Sequence, residues 1–156
     1  MKKYFFITLV LTLLLSSCTN YGALKINTLD INKFNMKSAS DIQIELKLGV
    51  DNPLNSGVFL KGLDGDIKHN GAKFARVELV KSDTIIAKSK GVYKATLRVV
   101  VEDPMLLLTM GMNMKSLNFD EYTTDAKITI ANTKGGARKV KVKNYPLKEL
   151  ANKLKR

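Results

Sequence analysis

Apolar and polar residues alternate with a period of two along much of the chain. The stretch IQIELKLGV places Ile42, Ile44, Leu46, Leu48 and Val50 on one face and polar residues or glycine on the other. This alternation is typical of a half-buried β-strand. The same pattern recurs in YKATLRVVVE, AKITIAN and RKVKVKN, whose predicted inward residues are Ala95, Leu97, Val99, Val101, Ala126, Ile128, Ile130, Val140 and Val142.

Turn-forming residues separate these runs. Asn52 and Pro53 end the first long strand, and we predict a structural role for both, because proline fixes the turn and asparagine bonds local backbone groups. Residues 62–66 are rich in Gly and Asp and predict a bend. Asn70-Gly71 suits a two-residue hairpin, and residues 134–136 predict another.

Several amphipathic strands at this spacing predict an all-β fold, a small antiparallel β-sandwich that is Ig-like or fibronectin-III-like. One inserted helix and a short C-terminal helix complete the prediction. We divide the chain into a signal peptide at residues 1–17, a tether at residues 18–24 and the sandwich domain with its basic tail at residues 25–156.

The inserted helix is predicted in EDPMLLLTMGMNMKSL, with Asp103 as N-cap and Pro104 at the first helical position. Its apolar residues occupy nearly all faces, so one interpretation is a buried helix that closes the sandwich. The alternative is a flexible lining for a hydrophobic ligand, because methionine side chains repack around varied shapes. The candidate lining residues are Met105, Met110, Met112 and Met114.

The C-terminal segment combines a leucine face with a strong positive charge. Leu147, Leu150 and Leu154 share one helical face, which either docks onto the domain or lies on a bilayer. Residues 18–133 carry 15 basic and 13 acidic side chains, whereas residues 134–156 carry 9 basic side chains and Glu149 alone. Candidate contacts with an anionic surface are Lys139, Lys141, Lys143, Lys153, Lys155 and Arg156.

The N-terminus has the layout of a bacterial lipoprotein signal. A short basic segment precedes an apolar run that is shorter than the roughly 20 residues of a membrane-spanning helix. Leu15-Ser16-Ser17-Cys18 then resembles the lipobox, in which cysteine is acylated and becomes the first mature residue. Cys18 is the only cysteine, so an intramolecular disulfide is excluded. Two or three acyl chains anchor a protein stably, and one does not.

The run LGVDNPLNSGVFLKGLDGDIKHNG, followed by ARVELVKSDTIIAKSKGVYKATLRVVVEDPMLLL, resembles the late embryogenesis abundant (LEA) type 2 family, also called the water-stress and hypersensitive-response domain. The resemblance spans residues 24–144 and carries over Asn52 and Pro53. It implies a small antiparallel β-sandwich with one helix and a protective or binding role, without shared catalytic residues.

The residues themselves give little support for an enzyme or a metal protein. His69 is the sole histidine, which excludes a metal site built from several histidines. We predict that it is an exposed turn residue. Asp64 and Asp66 form a short Asp-Gly-Asp pattern, but the further ligands of an EF-hand loop are missing. We therefore predict no catalytic residues, no metal and no cofactor.

Together these features predict a non-enzymatic envelope lipoprotein, most simply a monomer, in the outer membrane facing the periplasm. The absence of aspartate and of an acidic stretch after Cys18 favours that location. Its expected partners are anionic lipid headgroups or an acidic envelope protein, because an exported protein rarely meets nucleic acid. The alternative prediction is a periplasmic carrier of a lipid or another hydrophobic ligand.

Overall fold

The computed structural model describes residues 20–105 and 119–149. Within these residues the chain forms seven antiparallel strands, and all seven belong to one hydrogen-bonded sheet in the order β1-β2-β5-β4-β3-β6-β7. The strands are β1 Lys25–Met36, β2 Asp41–Asn52, β3 Val58–His69, β4 Ala72–Ser82, β5 Ser89–Val101, β6 Tyr122–Asn132 and β7 Ala137–Pro146. Short 3₁₀ turns occupy Tyr21–Ala23 and Phe119–Glu121. The predicted all-β antiparallel fold is confirmed.

The sheet folds over on itself at β4, so that it forms two layers. Only the start of β4, up to Glu78, pairs with β3, whereas its pairing with β5 begins at Ala75 and continues to Ser82. Ile42 on β2 and Tyr122 on β6 lie in one core cluster, although three strands separate them in the sheet. One layer therefore contains β1, β2 and β5, and the facing layer contains β3, β6 and β7.

A packed cluster fills one end of the sandwich, which we call the aromatic end. Phe74 and Tyr122 meet edge to face with ring centroids 6.0 Å apart, and Ile42, Ala75 and Val101 complete the buried cluster. The opposite end, where β2 finishes at Asn52 and β6 finishes at Asn132, is called the cavity end. The predicted inward residues of β2 and β5 are buried or half-buried, as the alternation requires.

The two predicted hairpins are present. Asn70 and Gly71 have φ of 49° and 82° and join β3 to β4, the left-handed conformations that a tight two-residue hairpin needs. Gly135 has φ of 90° in the turn between β6 and β7.

The bend predicted at residues 62–66 is wrong, because these residues lie inside β3. A β-bulge between Leu60 and Gly62 places one extra residue in β3 relative to its partner strand β6. At Gly65, a Cβ atom would lie 2.9 Å from the carbonyl oxygen of Asp125, so glycine allows β6 to approach closely. The glycines that suggested a turn instead fit a central strand between two neighbours.

His69 is also placed differently from the prediction. It is the last residue of β3 and is half-buried rather than exposed. Its ring centroid lies 4.8 Å from that of Tyr122, and its Nε2 is 3.0 Å from Glu121 Oε2.

Both predicted helices begin within the described residues. Pro104 and Met105 are helical, and Asp103 Oδ1 accepts a hydrogen bond from the Met105 N–H at 3.1 Å, as an N-cap does. Leu147, in the helical residues 147–149, packs against the core cluster of the aromatic end. Residues 106–118 and 150–156, including Met110, Met112, Met114, Leu150 and Leu154, lie outside the described residues.

Candidate functional site: an apolar cavity between the layers

An apolar cavity of about 320 Å³ lies between the two layers at the cavity end. Leu48 and Val50 of β2 face it from one layer, and Phe59 and Ile130 face it from the other. Ligand sites in proteins have volumes of about 300–1,000 Å³ and mainly apolar linings. The cavity therefore has the size and chemistry of a site for one small apolar molecule.

The polar groups in the cavity wall are engaged in local hydrogen bonds. The Ser82 hydroxyl donates to the Leu60 carbonyl oxygen at 2.9 Å, and the Tyr93 hydroxyl lies 2.8 Å from Ser89 Oγ. The Lys94 backbone N–H donates to Asp83 Oδ2 at 2.8 Å. The wall thus presents apolar side chains to a ligand, and its polar atoms serve to hold strands and loops.

Asn52 fixes the loops that surround the cavity. It has no exposed surface, and its Nδ2 donates to the carbonyl oxygens of Ser56 at 3.1 Å and Ile86 at 2.9 Å. Its Oδ1 accepts from the Leu54 N–H at 3.0 Å, across Pro53. One amide therefore connects the β2–β3 turn to the β4–β5 loop, whose Ile85 also forms a two-way backbone bridge with Val58.

Asn132 performs a similar role at the turn between β6 and β7. Its Oδ1 accepts from the N–H groups of Lys134 and Gly136, both at 2.9 Å. Its Nδ2 donates to the Tyr21 hydroxyl at 3.2 Å, and that hydroxyl donates to the Gly136 carbonyl oxygen at 3.3 Å. The N-terminal segment is thereby attached to the layer opposite β1.

Residues 21–24, which we call the N-terminal strap, run from this turn to the first residue of β1. Tyr21 and Leu24 line the cavity, and Lys25 then pairs with Asp51 of β2. Because its two ends contact different layers, the strap crosses the open side of the sandwich at the cavity end. The alternation of apolar residues predicts neither the strap nor β1. The sequence also does not predict the role of Asn132, because asparagine indicates only that a turn is near.

Of the four methionines predicted as a ligand lining, Met105 lies within the described residues. Met105 follows β5 at the aromatic end, and its side chain is 71% exposed. It does not line the cavity, whose described wall comes from the strands, the β4–β5 loop and the strap. The lining prediction for Met105 is corrected accordingly.

The predicted basic face of β7 is present, but acidic side chains lie beside it. Lys139, Lys141 and Lys143 are exposed. Lys141 and Lys143 share a surface concavity with Asp64, Asp66 and Asp125.

Asp125 is stabilised in its charged form. The backbone N–H of Asn144 and the Lys68 ammonium, 2.6 Å from its Oδ2, lower the pKa of this carboxyl group. Asp125 is thus paired with Lys68, and the positive charge of Lys143 makes a smaller contribution to its lowered pKa.

The paired acidic residues Asp64 and Asp66 lie on a strand and have basic partners. Asp64 is 3.2 Å from the Arg76 guanidinium, and Asp66 is 3.1 Å from the Lys73 ammonium. Across residues 20–105 and 119–149, no three His, Cys, Asp or Glu side chains are grouped as metal ligands.

Cys18, Lys153, Lys155 and Arg156 lie outside the described residues. In the part of the chain that the structure describes, no helix has the length and apolar character of a membrane span.

Comparisons with known proteins give no family assignment. No protein-family model matches the chain, and no curated protein matches it. A crystal structure of a protein from Archaeoglobus fulgidus aligns at 17% identity and a TM-score of 0.47, covering 76% of this chain and 96% of that chain. The GAE domain of yeast GGA1 aligns at 10% identity and a TM-score of 0.27, covering 81% and 96%.

Proposed function

We propose that this protein is a non-enzymatic lipoprotein of the bacterial envelope that binds an apolar ligand between its layers, beside its lipidated N-terminus. The observation that carries this proposal is the cavity of about 320 Å³ with its apolar wall. Because the polar atoms of the wall are engaged in structural hydrogen bonds, the geometry favours binding over catalysis. A small apolar molecule, or a single acyl chain of a lipid, is the ligand class that such a wall accepts.

The lipobox supports the membrane anchor. Leu15-Ser16-Ser17-Cys18 follows an apolar segment, and only Thr19 and Asn20 separate Cys18 from Tyr21 in the cavity wall. Three residues of extended chain span about 10 Å. A lipid anchor on Cys18 would thus hold the cavity end close to the membrane, on the periplasmic side of the outer membrane.

The resemblance to the LEA type 2 family supports a binding or protective role. Asn52 and Pro53, the residues that carry over from that family, form the turn that borders the cavity. A protective role at the membrane surface and the capture of a hydrophobic molecule are compatible, since both need an apolar site near the bilayer.

Native mass spectrometry tests ligand binding. The mature chain with Cys18→Ser, purified from a bacterial periplasm, is expected to carry a reproducible extra mass that lipid extraction removes. The Ile130→Trp variant fills the cavity and should lose that mass, whereas Met105→Trp, at an exposed position outside the cavity wall, should keep it. Far-UV circular dichroism checks that both variants fold. An apo mass for the parent chain, before and after incubation with lipids, would refute the proposal.

A further inference from the structure

The two ends of the sandwich differ in charge. The described segments at the cavity end are residues 20–25, 51–57, 83–90 and 133–138. They contain five basic residues and two acidic ones. The basic residues are Lys25, Lys88, Lys90, Lys134 and Arg138, and the acidic residues are Asp51 and Asp83.

The described segments at the aromatic end have the opposite balance. Residues 36–41, 68–73, 101–105, 119–121 and 146–149 contain four lysines and six acidic residues. The lysines are Lys37, Lys68, Lys73 and Lys148, and the acidic residues are Asp41, Glu102, Asp103, Asp120, Glu121 and Glu149. Of the two ends, the one that carries the strap therefore has a net positive charge in its described segments, and the aromatic end has a net negative charge.

Exposed apolar side chains accompany this charge. Ile86 in the β4–β5 loop is 64% exposed, and Val92 near the start of β5 is 68% exposed. The loop is held firmly, because the Ile86 carbonyl oxygen accepts from Asn52 Nδ2 and its N–H donates to the Tyr93 hydroxyl at 3.2 Å. The same bonds that border the cavity thus leave Ile86 pointing outward.

We infer that the cavity end is a docking surface for an anionic lipid bilayer. Basic side chains around exposed apolar residues match a membrane interface, where headgroups attract the charges and the acyl region accepts the apolar groups. The inference deepens the proposed function and rests on it for the anchor at Cys18. It places the strap and the neighbouring cavity against the lipids, so that an apolar ligand passes between bilayer and cavity without crossing bulk water.

This surface differs from the basic face of β7, which the sequence predicts as the contact together with Lys153, Lys155 and Arg156. Lys141 and Lys143 lie beside Asp64, Asp66 and Asp125. At the cavity end, Asp51 pairs with Lys90 at 3.2 Å, and the Asp83 carboxylate is occupied by the Lys94 backbone N–H. The Asp83 carboxylate keeps its negative charge, so the five basic and two acidic residues of these segments leave a net charge of +3 to attract an anionic surface.

Co-sedimentation with vesicles at low salt locates the contact. The mature chain with Cys18→Ser is expected to bind vesicles that contain phosphatidylglycerol and not pure phosphatidylcholine. Each basic residue contributes about fivefold to such partitioning. The triple variant Lys88→Glu, Lys90→Glu, Lys134→Glu should therefore bind more than about 100-fold more weakly.

The matched control is the triple variant Lys139→Glu, Lys141→Glu, Lys143→Glu, which has the same net charge but alters the β7 face. It should weaken binding by less than about tenfold. In a second pair, Ile86→Ser should weaken binding, whereas Ile31→Ser, at a position 67% exposed on β1, should not.

Equal losses in both triple variants, a larger loss in the β7 variant, or no binding of the parent chain would overturn the inference. Circular dichroism checks the fold of each variant. Because Cys18→Ser removes the anchor and ligand mass is measured separately, a failure of membrane docking is distinguishable from a failure of lipidation or of ligand binding.

Discussion

The two ends of this sandwich are held together in different ways. At the aromatic end, Phe74, Tyr122 and the side chains around them fill the space between the layers. At the cavity end, the amides of Asn52 and Asn132 hold the loops through backbone hydrogen bonds. These hydrogen bonds hold the loops in place without a large side chain between the two layers. The same strands thus support a packed core at one end and open volume at the other.

Removing the Asn52 amide is expected to have the largest effect on stability. In Asn52→Ala, buried backbone groups of the β2–β3 turn and the β4–β5 loop lose their partner. Each such loss costs about 1–3 kcal/mol, so the free energy of unfolding should fall by about 2–4 kcal/mol in urea titrations. Asn55→Ala, at an exposed position in the same turn, should change it by less than about 0.5 kcal/mol. Similar values for the two variants would show that the amide does not hold the cavity end.

Adding the same methyl groups at both ends tests the difference in packing directly. Ala75 is fully buried in the aromatic cluster, whereas Ala95 lines the cavity. Ala75→Val should overpack the cluster and lower the free energy of unfolding by about 1–3 kcal/mol. Ala95→Val has room for its methyl groups and should stay within about 0.5 kcal/mol of the parent. Equal penalties in urea titrations would mean that the space at the cavity end is already filled.

Acid should weaken the fold by a smaller amount. A side-chain hydrogen bond from Arg98 lowers the pKa of Asp41, and the Asn144 N–H lowers that of Asp125. Because their folded pKa lies below the unfolded value, these groups stabilise the fold above about pH 4 and lose that contribution as the pH falls through the folded pKa.

Urea midpoints at pH 7 and pH 3 measure this effect. The midpoint should fall at pH 3, and Asp125→Asn should make the fall smaller. If the urea midpoint of Asp125→Asn falls between pH 7 and pH 3 by as much as that of the parent chain, the role given to this carboxylate is contradicted.

The sequence predicts the fold best where apolar alternation is regular. β2 pairs with β5 over its full length without a register shift, and its alternating residues are visible in the chain. β1 has register shifts between Ile26 and Thr28 and between Ile31 and Lys33. Each register shift interrupts the regular alternation of apolar and polar residues along β1. A search for a period of two therefore does not detect this strand.

The cavity is harder to predict for a different reason. Leu48, Val50, Ala95 and Ile130 are all expected to point inward, and they do. Alternation shows which face a side chain occupies but not the distance between facing layers. The Asn52 and Asn132 networks also contain contacts between residues far apart in sequence, up to 111 residues for Tyr21 and Asn132, and alternation does not reveal such contacts.

The attachment of the strap also determines how the domain carries mechanical load. A tether that pulls on residue 20 would draw on β1, an edge strand whose ladder with β2 opens one pair at a time from Lys25 and Asp51. The hydrogen bonds of the Tyr21 hydroxyl to Gly136 and Asn132 lie ahead of that ladder. Force applied through such a tether would therefore reach the β6–β7 turn first, and the edge strand would be shielded from peeling.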